Sequence, residues 1–241
     1  MRGMQSPLPR IGVLGGMGPL ATADFFSKLI AATPASRDQD HFPVSIDSTP
    51  QIPDRVAAIE GCGEDPFPAL LAAAHRLLNA GCALVAMPCN TAHLWHGRIA
   101  AALPVPVLHI ADAVAERLGA ARHVALMGTT ATLRTRLYQE RIGGTREGIQ
   151  PTEHEMAGAV MPGVAEVKRY RIDEARALLV PVAQRLAGAG ADALVLGCTE
   201  IPIAVRQDDC AVPVIDATRA LAEATVAAAA RLSAQGARTG E

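Results

Sequence analysis

Aromatic residues are nearly missing from this chain: one Trp, two Tyr and four Phe in 241 positions. Hydrophobic residues still make up 50% of it, so small and aliphatic side chains must fill the interior, which suits helices packed closely on a sheet. Charge of one sign is also lacking. The formal net charge is −2, with no basic run interleaved with aromatics, which argues against a nucleic-acid partner. No apolar stretch reaches the length of a membrane span, and the opening "MRGMQSPLPR" has no apolar core of a secretory leader. The expectation is a soluble, cytoplasmic chain with no membrane partner. The five cysteines form no Cys-x-x-Cys pair, and no His-Glu-x-x-His set is present, so neither a disulfide framework nor a metal site is expected.

What is present is an alternation. Short apolar runs at 11–15, 42–46, 83–87, 105–110, 123–128, 193–197 and 212–216 read as strands. Ala- and Leu-rich segments at 19–32, 66–80, 172–189 and 216–232 read as helices between them. Near-continuous apolar strands separated by helices indicate parallel sheets covered on both faces, hence an α/β fold. The length allows one or two domains with a sizeable core.

Two stretches then prove alike. Ala80-Gly81 through Pro88-Cys89 lies over Ala189-Gly190 through Gly197-Cys198 with the same glycine-to-cysteine spacing. Downstream, "VPVL" (105–108) answers "VPVI" (212–215), and "IGVLGGMG" loosely answers "VALMGTTA". Any two strand–helix units look alike, so the strands alone decide nothing. Cysteines at matching positions argue for two related α/β halves, each placing a thiol where a strand gives way to a helix. In open α/β sheets ligands bind at the carboxyl ends of strands. Two facing halves would set Cys89 and Cys198 on opposite walls of one cleft.

A thiol near pKa 8.5 is only about 3% ionised at neutral pH, and a helix N-terminus favours the anion. Lowering the pKa to about 7 takes roughly 2 kcal/mol. Asn90 or Thr91 is expected to cap one following helix and Thr199 the other, whereas the Glu200 carboxylate disfavours a thiolate at Cys198. One thiolate and one thiol suit proton abstraction from one face of a carbon and delivery to the other. The small-residue turns "GGMGP" (15–19) and "GTTAT" (128–132) are suited to holding a substrate carboxylate. Gly16-x-Gly18-x-x-Ala21 also meets the loose dinucleotide pattern, but no acidic residue ends the second strand at the required distance.

The motifs "IGVLGGMGPLATADFF", "IPDR", "MPCNTAH" and "LGCTEIP", in this order, resemble the aspartate/glutamate racemase family, in particular its aspartate-racemase branch, from about Ile11 to Leu232. The resemblance implies a racemase that needs no cofactor, usually a homodimer, acting on an acidic amino acid. It also implies two pseudo-symmetric domains, the second inserted in the first: 1–112 with 216–241, and 113–215. By the same resemblance Cys89 and Cys198 are the two proton donors and acceptors. Asn90, Thr91, Thr199 and the "GTTAT" threonines, mainly Thr130, contact the α-carboxylate and amine. Met17 borders the site, Glu200 joins the binding set, and Gln51, Arg55 and Lys168 recognise carboxylates; an Arg fork suits that task. Gly15-Gly16 and "CTEIP" stand where the cell-wall glutamate racemases carry "DSG" and "CTHYP". Some decarboxylases and isomerases of the wider superfamily lack one cysteine of the pair; both are present here.

Three alternatives stay open on the sequence alone. A related isomerase or decarboxylase would use one cysteine, and a binding protein would keep the cleft without turnover. A Cys–His hydrolase is the third, since His93 and His96 follow Cys89 on one side of a helix; hydrogen bonding to a helix neighbour is the simpler role. His109 and Asp112 follow a strand end as candidate caps. Asp47 and Asp216 end predicted strands and suit helix capping, and Trp95 reads as a packing anchor.

Overall fold

The computed structural model describes residues 8–142 and 147–239, so the first seven of the opening residues read above for a leader lie outside the described residues. The chain forms two parallel sheets. The first contains β1 (Arg10–Gly15), β2 (Val44–Ser48) and β3 (Cys82–Ala86) in the order β2-β1-β3. The second contains β4 (His123–Gly128), β5 (Glu147–Ile149), β6 (Ala193–Gly197) and β7 (Val214–Asp216) in the order β5-β4-β6-β7. β1 and β6 are buried along nearly their whole length, as strands covered on both faces must be.

The repeat in the sequence is a repeat in space. β1 lies between β2 and β3, as β4 lies between β5 and β6. The fourth position of the first sheet is taken by Val107, which bridges Val85 in parallel, as β7 flanks β6 in the second. The run expected as a strand at 105–110 thus shrinks to one bridge: Pro104 and Pro106 have no N–H to extend a ladder. Leu194 still donates to the Pro213 carbonyl as Val85 donates to that of Pro106, each at 2.9 Å. Ahead of β3 and β6, the helices Phe67–Asn79 and Ile172–Gly188 both end on an alanine followed by a glycine at positive φ, Gly81 (77°) and Gly190 (87°). That left-handed residue turns the chain back into the sheet at little cost only for glycine.

Three cores result. One lies between the first sheet and the helix Phe67–Asn79, around Leu70, Leu77, Val85 and Met87. A second lies under the helices Met161–Lys168 and Ile172–Gly188, around Val164, Leu179, Leu186 and Leu196. The third is shared: Ile11, Val13 and Leu84 of the first sheet and Val124, Leu126 and Val195 of the second join one cluster through Val114 and Leu221. Val114 belongs to the helix Ile110–Leu118 and Leu221 to the closing helix Ala217–Thr239, which also lies against Pro19–Ala32. The halves are thereby held with their strand ends toward each other.

Candidate active site

β3 ends at Ala86, and Cys89 follows after Met87 and Pro88; β6 ends at Gly197, and Cys198 is the next residue. Both thiols are buried, at 5% and 4% exposure, and both line one chamber of about 30 Å³. The first half contributes Met17, Arg55, Asn90 and Thr91 to its wall, and the second contributes Lys168, Thr199 and Glu200. The expected facing arrangement of two strand ends is therefore the observed one.

Two expected residues fall elsewhere. Thr130 lines a separate surface pocket with Gln150 and Pro151, while Thr129 lines the cysteine chamber. The cause is the turn after β4: Thr129 is the N-cap of the helix Thr130–Arg134, its hydroxyl accepting from the Thr132 N–H, and the first helical residue points away. Gln51 is exposed, outside the chamber's lining, although Pro50 and Ile52 on either side of it border the adjoining space. Asp54, Val56 and Val164 line the chamber and were not anticipated.

The expected capping is also replaced. Asn90 caps nothing with its side chain; its Oδ1 accepts from the Tyr138 hydroxyl. Thr91 instead meets Thr129 and Thr132 in a triangle of hydroxyls, with oxygen separations of 3.2, 3.4 and 3.0 Å. This triangle joins the two halves directly beside the chamber. Thr199 donates to Glu200 Oε2 at 3.2 Å.

Burial raises both thiols above their ordinary range, so the depression expected from helix N-termini does not prevail. The two are unequal. At Cys89 burial is opposed by the Arg55 guanidinium and the Ala92 N–H, with a smaller upward push from Glu200. At Cys198 burial is reinforced by Glu200, and the shift is larger; Lys168 opposes it weakly. The contact is direct: the Cys198 thiol donates to Glu200 Oε2 at 3.0 Å. Cys198 is thus held as a thiol, and Cys89 is the easier of the two to ionise.

Three buried polar atoms have no partner here: Arg55 Nε, Asn90 Nδ2 and Glu200 Oε1. Two are donors and one is a carboxylate oxygen, a set that answers a carboxylate and an ammonium. The rest of the Arg55 guanidinium is anchored: Nη1 donates to the carbonyls of Ile52 and Pro53 at 3.2 and 3.1 Å, and Nη2 reaches that of Met17 at 3.5 Å.

Behind Cys89 lies a layer of three histidines. His93 Nδ1 donates to the Cys89 carbonyl at 2.9 Å, His96 Nε2 donates to that of Val107 at 2.8 Å, and His109 Nδ1 accepts from the Ala111 N–H at 3.1 Å. The rings stack or meet edge to face at centroid distances of 4.7 to 5.9 Å. Burial drives His93 down to about 4 and His109 to about 2, so both stay neutral. His93 thus bonds its own turn and His109 caps the helix Ile110–Leu118, as the simpler roles expected, whereas His96 reaches outside its helix to Val107. Among the described residues no group of three such side chains is arranged to hold a metal ion.

A wider space of about 470 Å³, bordered by Gly16, Gly18, Pro50 and Ile52, adjoins the chamber. Asp54, Arg55, Lys168 and Glu200 line both and so form the partition between them.

The family profile described as Asp/Glu/Hydantoin racemase matches residues 14–225. The chain belongs to this family. Its racemase-family span opens in β1, closes in the last helix and encloses both cysteines. It is 29% identical over 224 residues to the broad specificity amino-acid racemase RacX of Bacillus subtilis (strain 168), covering 90% of this chain and 96% of that protein. The structure of Picrophilus torridus aspartate racemase matches with a TM-score of 0.84 at 32% identity, over 92% of this chain and 94% of that one. The glutamate racemase of Francisella tularensis subsp. tularensis SCHU S4 shares the fold of this racemase-family chain, with a TM-score of 0.66 at 16% identity. Among the described residues no helix is long and apolar enough to cross a membrane.

Proposed function

We propose that the protein racemises an acidic amino acid, aspartate or glutamate, without a cofactor, with Cys89 and Cys198 as the two bases. The carrying observation is the pair itself: two thiols from equivalent strand ends, lining one chamber and held unequally by Arg55 and Glu200. Family membership and the two racemase relatives support the reaction type.

In this reading the substrate α-carboxylate takes Asn90 Nδ2 and the hydroxyls of Thr91 and Thr129, and the ammonium takes Glu200 Oε1. Cys89, as thiolate, removes the α-proton from one face of the carbon. The charge that develops spreads into the carboxylate, where preorganised donors hold it better than water would. Cys198 delivers its proton to the other face, leaving a thiol at Cys89 and a thiolate at Cys198; the opposite enantiomer runs the same path backwards. The side chain extends toward Arg55 and Lys168 at the partition, whose cations favour a second carboxylate. We divide the chain for this purpose into 1–112 with 216–241, and 113–215; the seating of the last helix on Pro19–Ala32 supports that division.

The test is proton NMR of the reduced protein in D₂O with L- and D-aspartate and glutamate. The expected result is loss of the α-proton signal together with appearance of the opposite enantiomer. Cys89→Ala and Cys198→Ala should each lower racemisation by about 10²- to 10⁴-fold, the usual worth of a general acid or base. Normal turnover in either variant would sink the two-thiol mechanism.

A further inference from the structure

One side chain touches both cysteine-bearing turns and has no place in the reaction as described. Tyr138 follows the helix Thr130–Arg134 and is fully buried. Its hydroxyl donates to Asn90 Oδ1, next to Cys89. Its ring lies against Gly197, next to Cys198: a Cβ built on Gly197 would stand 2.9 Å from Tyr138 Cε2. No real Cβ sits that close to a ring carbon, so only glycine before Cys198 leaves room for the tyrosine.

The hydrogen bond decides what Asn90 can offer. A primary amide presents an acceptor at one end and two donors at the other, and rotation exchanges them. The phenol claims the oxygen, so the NH₂ end is the end left over, and Asn90 Nδ2 is indeed buried without a partner. Burial, and beyond it the Cys198 sulfur and Asp216, push the phenol well above its ordinary pKa, so it remains a donor at every working pH. Were the amide turned, its carbonyl oxygen would oppose the carboxylate that the proposed reaction needs to bind.

We propose that Tyr138 is a positioning residue that locks the Asn90 amide with its NH₂ toward the substrate carboxylate, and that it does so from the half of the molecule that carries Cys198. The substrate part of this inference rests on the racemase reading; the orientation of Asn90 does not.

The test is a two-by-two cycle of Tyr138→Phe and Asn90→Ala, each variant checked for an unchanged far-UV spectrum. Phenylalanine keeps the ring against Gly197 and removes only the hydroxyl. In the Asn90 background Tyr138→Phe should lower kcat/KM roughly tenfold to a hundredfold, the range for a hydrogen bond to a charged group. The loss should fall mainly on kcat, because the carboxylate gains charge as the carbanion forms. In the Asn90→Ala background the same change should cost less than about twofold, since its effect passes through Asn90. An equal cost in both backgrounds, or none in the first, would overturn the proposal.

A second readout needs no turnover. The chain has two asparagines, exposed Asn79 and buried Asn90, so ¹⁵N-asparagine labelling yields two side-chain amide pairs. In the free protein Tyr138→Phe should shift or broaden the Asn90 pair and leave the Asn79 pair in place. An unmoved Asn90 pair would overturn the orienting role. If the wild type racemises nothing while the pair responds, the racemase reading fails and the orienting role stands.

Discussion

At the scale of single residues, Glu200 sets the difference between two cysteines in otherwise equivalent positions. Its carboxylate accepts the Cys198 thiol and would repel the thiolate, so both effects favour the protonated form. Glu200→Gln removes the negative charge, which must lower the pKa of Cys198. The expected shift is downward, read as the midpoint of thiolate absorbance with the other cysteines substituted. A midpoint that stays or rises would contradict the assignment of Cys198 as the resting thiol. Asn90, Thr91 and Thr199, expected as caps, turn out to be held by other side chains. Sequence spacing showed that these polar residues follow a strand, but it does not say which partner wins a hydroxyl or an amide. Tyr138 illustrates the limit, because its hydroxyl bonds a residue 48 positions away and no local pattern marks it.

At the scale of elements, the turns after β3 and β6 are braced differently. The turn after β3 rests on neutral histidines, and this has a consequence for pH. His93 and His109 are depressed when folded and titrate near 6.5 when unfolded. The unfolded chain therefore binds protons that the folded chain refuses. Stability from this source is fully present above pH 6.5 and declines below it, down toward pH 4 for His93 and pH 2 for His109. Each histidine costs about 1.4 kcal/mol per pH unit within its window. Urea midpoints should accordingly fall between pH 6.5 and 4.5, and the fall should be smaller in His93→Gln. The strands themselves were legible where they are buried runs, as in β1, β4 and β6. β5 was not, because Glu147–Ile149 is three residues long with a glycine in the middle and shows no apolar run. That Thr129 rather than Thr130 lines the chamber has a related cause: which of two adjacent threonines faces a cleft depends on where the helix starts, and propensity locates that only to a residue or two.

At the scale of the whole molecule, the shared core makes the two halves one cooperative body. Leu221 is fully buried in the cluster that joins strands of both sheets. Leu221→Ala should cost about 2–5 kcal/mol. Trp95 fluorescence, which reports the first half, and far-UV circular dichroism should move to the same lower urea midpoint; two separated transitions would contradict a common core. The internal repeat was legible as matched glycines, cysteines and Val-Pro-Val runs. The surface on which the halves meet was not, because it is made of residues remote in sequence.

The chamber between the cysteines, at about 30 Å³, has room for a water molecule or two and not for an amino acid. On the proposed reading, then, the walls would have to separate to admit an amino acid and rejoin around it. The hydroxyls of Thr91, Thr129 and Thr132 lie across that seam, and the two thiols beside it are both buried. A racemase built this way would owe its pace to how often it opens as well as to how fast a carbon gives up its proton.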